Sequence, residues 1–232
     1  EAVISLSDAV ENLGRALGPD NSYALISRNN LACAYRDAGR LSEAIDLFEQ
    51  VLADRLRALE PDHLDILVSR NNLADAYELA ERLDDAISLF EQNLTDCERI
   101  LGPDHPGTLT AQNNLADVYK SAGRLNEAID LCERTLADQS HVLGPDHPDT
   151  LTTQNNLADA YKSAGRLNEA IDLLEQNLSD RLRVLRPDHP DTLVSRNSLA
   201  DAYKSAGRLE RSIRLLEQNL TDHERILGPD HP

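Results

Sequence analysis

Apolar residues return along this chain at spacings of three and four, the period of helices that bury one face. Within residues 149–190, Leu151, Leu157, Ala158, Tyr161 and Ala164 make one such stripe, and Ala170, Ile171, Leu174 and Leu178 make a second. Ala164-Gly165-Arg166 separates them, with Gly165 suited to the left-handed conformation that ends helices. Asn168 is the expected cap of the second helix, which is predicted to run to Leu185. Pro187 and Pro190 then stop that helix and start the next, with Asp188 or His189 at the cap and Pro190 in the first turn.

The same two-helix pattern recurs. Gly18-Pro19-Asp20 returns as Glu60-Pro61-Asp62, Gly102-Pro103-Asp104, Gly144-Pro145-Asp146, Arg186-Pro187-Asp188 and Gly228-Pro229-Asp230, always 42 residues on. Between residues 107–148 and 149–190, 11 of 42 positions differ and 31 are identical. A single hairpin of this kind cannot bury its own apolar faces, whereas stacked neighbours can, so the pattern predicts an all-α solenoid.

The Leu-Ala-x-x-Tyr, Ala-Gly-Arg-Leu and Glu-Ala-Ile motifs, seen at Leu157-Ala158, Tyr161, Ala164-Gly165-Arg166-Leu167 and Glu169-Ala170-Ile171, resemble tetratricopeptide repeats. They are most similar to the long 42-residue form found in kinesin light chains and bacterial relatives. The resemblance covers essentially the whole chain. It implies a right-handed α-solenoid of five helix-turn-helix repeats within residues 18–232, at approximately 22–59, 64–101, 106–143, 148–185 and 190–227. Residues 1–17, whose Glu1-Ala2-Val3 echoes Glu43-Ala44-Ile45, read as an orphan second helix. The fifth repeat departs from the pattern: Arg211 and Ser212 replace Glu-Ala, and Ser198 replaces the second Asn of the Asn-Asn pair. At His231-Pro232 a sixth first helix is due, so the apolar flank of the fifth hairpin is expected to stand open. Beginning at Glu1 and containing no Met, the sequence reads as a piece of a longer protein.

Only six Tyr, two Phe and no Trp are present, so the core must be Leu and Ala in close helix packing. The net charge of −18, from 41 acidic and 23 basic residues, argues against nucleic acid and anionic membranes as partners. Cys33, Cys97 and Cys132 form no CxxC pair and predict reduced, packed thiols rather than a disulfide framework or zinc site. No apolar run approaches the roughly 18 residues of a membrane span, and no signal-peptide pattern opens the sequence, which together lead us to expect a cytoplasmic protein.

Once the core stripe is assigned, a second face of the first helix remains, carrying Thr152, Asn155, Asn156, Asp159, Lys162 and Ser163. Its counterparts are Asn30, Asn72 and Asn114 beside Asn156, then Asn29, Asn71, Asn113 and Asn197 beside Asn155. Asp117 and Lys120 correspond to Asp159 and Lys162. A carboxamide offers two donors and an acceptor, matching a peptide backbone whatever its side chains. By resemblance, this face lines the groove of such repeats, and the Asn before Leu-Ala contacts the bound peptide. The alternative is that these amides bridge neighbouring helices. The Asp–Lys pairs at i, i+3 either read charge on a partner or neutralise each other.

His63, His105, His147, His189 and His231 recur once per repeat. Helices pack about 8–10 Å apart, too far for successive loops to share one metal ion, so these histidines predict a loop or capping role and no metal site. No phosphate-binding glycine loop, HExxH or Gly-x-Ser-x-Gly motif is present, and no cofactor or catalytic residue is expected. The reading is a protein-interaction module that binds a peptide or partner segment in its groove. By likeness to scaffold or sensor regions, it could belong to a larger signalling protein. The alternative is a structural solenoid stacking head to tail through open ends.

Overall fold

The computed structural model describes residue 10 and residues 12–18 and 20–227, with side chains as far as Asp222. Among these residues every regular element is a helix. In order they are α1 (Ser22–Asp37), α2 (Leu41–Ala58), α3 (Leu64–Leu79), α4 (Leu83–Leu101), α5 (Pro106–Ser121), α6 (Leu125–Val142), α7 (Pro148–Ser163), α8 (Leu167–Val184), α9 (Pro190–Ser205) and α10 (Leu209–Leu227). Residues 12–17 are also helical and Val10 is buried. The rest of the helix predicted over 1–17 lies outside the described residues, as do the marker at 228–230 and His231. No described helix is long and apolar enough to cross a membrane.

Two compact units divide the chain, residues 1–122 and 123–232. In the first, α1 packs on α2, α2 on α3, α3 on α4 and α4 on α5; the second repeats this succession from α6 to α10. Nearest-neighbour packing of this kind defines a helical-repeat fold.

The odd-numbered helices begin on a side-chain cap. Nδ1 of His63, His105, His147 and His189 accepts the backbone N–H two residues on, at 3.1, 3.0, 3.2 and 3.2 Å. Asn21 Oδ1 does the same for Tyr23 at 3.0 Å. Asp188 is therefore not the cap of α9. Pro106, Pro148 and Pro190 occupy the next position, where a missing N–H costs nothing.

The even-numbered helices start differently, and here the expectation for Asn168 fails. Gly165 takes φ 75° and the N–H of Arg166 returns to the Tyr161 carbonyl at 2.8 Å. That tight turn makes Arg166 the N-cap, with no side-chain bond, and α8 begins at Leu167. Asn168 thus lies inside the first turn rather than before it. Gly39, Gly123 and Gly207 repeat the left-handed turn, and Glu81 is forced into it at φ 58°.

Small residues let the helices approach: Ala32, Ala44, Ala74 and Ala86 are fully buried in the first unit, as are Phe48 and Phe90. In the second, Ile171, Leu174 and Leu178 of α8 pack against Leu199, Ala202 and Tyr203 of α9. On α10, the matching Ile213, Leu216 and Leu220 are exposed.

Candidate functional site

Polar brackets tie α3, α5, α7 and α9 to the repeat before each. The hydroxyls of Tyr77, Tyr119 and Tyr161 donate to Glu49, Glu91 and Glu133 at 2.6, 2.7 and 2.6 Å, and Tyr203 donates to Glu175. Arginines from the following turn stack on the rings, Arg82 at 4.1 Å from Tyr77 and Arg166 at 4.1 Å from Tyr161. These contacts fix the rotation of the first helices and hence the direction in which the asparagine face points.

On that face the two asparagines of each pair do different things. Asn72 Nδ2 donates to Asn29 Oδ1 at 3.1 Å, and Asn114 Nδ2 donates to Asn71 Oδ1 at 2.7 Å. The second Asn of one repeat thereby bridges to the first Asn of the repeat before. Asn71 also donates to Asp75 at 3.2 Å. Each bridging amide still holds an oxygen and a second N–H in reserve. Asn30 is exposed; Asn113 and Asn156 are half-buried, Asn113 with an interaction of its own. Asn155 Oδ1 is buried without a partner. The residue 43 positions beyond it is Ser198, where the pattern supplies an Asn.

The charged positions are interlocked. Lys120 lies 2.6 Å from Asp117, and Lys162 lies 2.8 Å from Asp159 and 2.7 Å from Asp201 of the next repeat. Burial works against the Lys162 charge, and the hydrogen bonds to Asp159 and Asp201 outweigh it, holding the ammonium above its ordinary value. Burial pushes the Asp75 carboxyl up to about 6, against the pull of Arg36 at 4.0 Å.

In the first unit, three of the predicted residues converge. Asn71, Asn72 and Asn114 line one groove of about 290 Å³, whose apolar wall includes Leu64, Leu67 and Val68. Leu64 and Val68 are exposed there. The sequence did not place Asn93 or Cys97 of α4 in this groove, though it predicted Cys97 as a packed thiol. The one available signal was that Cys97 stands where the repeat has Arg55 and Arg181. Asp117, Lys120, Asp159, Lys162, Asn113, Asn155 and Asn156 do not line this groove. Among the described residues, no group of three or more His, Cys, Asp or Glu is placed to hold a metal ion.

The tetratricopeptide repeat family model matches residues 25–65, 65–137, 110–179 and 192–232. The chain therefore belongs to the tetratricopeptide repeat family, whose members generally mediate protein–protein interaction and are typically non-enzymatic. Two crystal structures of nearly identical TPR-like repeats from Podosopora anserina, assigned to a kinesin light chain, are each 35% identical to it. They cover 87% of this chain and 95% of their own, with TM-scores of 0.75 and 0.73. BtubC (BKLC) from P. vanneervenii is 20% identical, covers 99% of this chain and 92% of its own at a TM-score of 0.77, and shares the fold. Among proteins of curated function, none matches.

Proposed function

We propose that this chain is a protein-interaction module that holds a partner's peptide segment against its first-helix face. The observation that carries this reading is the groove in the first unit, where Asn71, Asn72 and Asn114 stand beside exposed Leu64 and Val68. Amides with unused donors and acceptors suit a peptide backbone, and the aliphatic wall suits its side chains. Asn30, Asn113, Asn155 and Asn156 are the corresponding positions elsewhere, with Asp117, Lys120, Asp159 and Lys162 one turn along. With a net charge of −18, basic or neutral segments associate faster than acidic ones.

The test is to pan displayed random peptides on the chain and measure affinities for the parent and for a variant carrying Asn72→Ala and Asn114→Ala. Circular dichroism must show intact helix in the variant. Peptides that bind the parent and lose affinity for the variant support the groove; equal binding to both overturns it.

A second reading, self-association, is favoured by the exposed stripe of Ile213, Leu216 and Leu220 on α10. Light scattering across concentration decides it, since a mass that never rises above the monomer removes the idea.

A further inference from the structure

The groove beside Asn72 sits at a junction where three positions have been cut back together. At the junction of α2 with α3, Arg55 is 3% exposed and its Nη1 donates to the Asp65 carbonyl at 2.9 Å and to Ser69 Oγ at 2.6 Å. The Asp65 carboxylate lies 3.7 Å from Nη2. The junction of α8 with α9 carries the same three residue types: buried Arg181 lies 3.6 Å from Asp191 and donates to Thr152, and buried Ser195 donates to Asn177. The same three places hold Gln139, Asp149 and Thr153 between α6 and α7. Between α4 and α5 they hold Cys97, Gly107 and Ala111. The guanidinium, the carboxylate and the hydroxyl are all gone. Leu67, Cys97 and Ala111 form a small apolar cluster in their stead, and burial pushes the Cys97 thiol up, keeping it neutral.

One polar group was left behind. In α8, Asn177 is fully satisfied: Nδ2 donates to the Leu151 carbonyl at 2.6 Å, and Oδ1 accepts from Ser195 Oγ at 2.6 Å. Asn93 is its equivalent in α4. It lines the groove, is 4% exposed, and its Oδ1 has no hydrogen-bond partner, because Ala111 stands where Ser195 would supply the hydroxyl. An orphaned buried acceptor costs about 1–3 kcal/mol, and such groups in native proteins call for a reason.

We propose that this pocket is an anchor for one partner side chain, neutral, with an apolar stem and an O–H or N–H at its end that donates to Asn93 Oδ1. The inference rests on the peptide-groove reading and names what the groove selects. Rotation about the broad χ2 torsion of Asn93 turns its oxygen toward the occupant. A cationic side chain is disfavoured, because the carboxylate that accompanies Arg55 and Arg181 is missing at Gly107 and an unpaired charge would be desolvated. A carboxylate lacks the donor and meets the chain's acidic field. A plain aliphatic side chain would fill the space and leave Asn93 orphaned.

The test uses the peptides panned on the full chain. Their anchor residue is replaced by the nearest shape lacking the donor, Thr by Val, Gln by Met or Tyr by Phe. Each pair is then titrated against the parent chain, Asn93→Leu and Ala111→Ser. The donor should be worth about five- to tenfold in affinity on the parent chain, the scale of one hydrogen bond. It should be worth little on Asn93→Leu, where the Asn93 acceptor is removed, and little on Ala111→Ser, where the new hydroxyl satisfies Asn93. If peptides bind and depend on Asn72 and Asn114 yet ignore both pocket variants, the groove reading survives and the anchor is overturned. If no peptide is selected at all, both readings fall.

Discussion

Asn114 donates an amide hydrogen to Asn71 Oδ1 at 2.7 Å, across 43 residues of sequence. A residue proposed to contact a bound peptide is thus also a brace between consecutive repeats. Asn114→Ala should therefore lower stability by about 1 kcal/mol in urea unfolding, since it strands a half-buried acceptor on Asn71. Asn30→Ala, at an exposed position, should leave the midpoint unchanged. Equal loss in both would mean that the bridge contributes nothing.

The tyrosine–glutamate brackets predict an alkaline limit. Burial, then the hydrogen bonds to Glu49 and Glu133, push the Tyr77 and Tyr161 hydroxyls up to about 12. An unfolded tyrosine titrates near 10. Between the two values the folded chain holds protons that the unfolded chain has released. Their contribution is thus full below about pH 10 and falls as pH climbs toward 12. Tyr161→Phe should cost about 1 kcal/mol at neutral pH and flatten this alkaline decline, both read from denaturant midpoints against pH.

Asp75 works in the same sense, but in the acid range. Its carboxyl, raised from 3.8 to about 6 by burial, keeps a proton in the fold that the unfolded chain gives up near pH 4. Stability from this group falls as pH rises from about 4 to 6, and at pH 7 the ionised carboxylate is a burden. Asp75→Asn should raise the melting temperature at pH 7 and not at pH 4. Because 36% of the side chain is exposed, solvent screening keeps the gain below about 1 kcal/mol.

Glu81 holds φ 58° at the place where Gly39, Gly123, Gly165 and Gly207 do so without a Cβ. Glu81→Gly should stabilise the chain by about 0.5–1 kcal/mol in thermal unfolding. A loss of stability would show that the Glu81 side chain makes a contribution the backbone strain conceals.

The helices, their left-handed glycine turns and the histidine caps were all legible in the sequence, because local chemistry decides them. Asn168 was misjudged because a favourable cap residue was weighed without the turn: the return of the Arg166 N–H to Tyr161 starts the helix two residues too early for it. The asparagine face was legible as a face, but the pairing of Asn72 with Asn29 and of Asn114 with Asn71 depends on how far one helix advances past the next. No single-repeat pattern carries that. Asn93 was invisible for another reason. Its orphaned oxygen follows from what is missing at Ala111, and an absence shows only when one repeat is laid over another.

Each asparagine and tyrosine bridge described here links a repeat only to its neighbour, so the bridges act as couplings in a row of coupled units rather than as supports of one shared core. In such a row, local opening begins at the weakest coupling. Ser198 leaves Asn155 Oδ1 unanswered, and amide hydrogens flanking that link should be the first in the second unit to trade with deuterium.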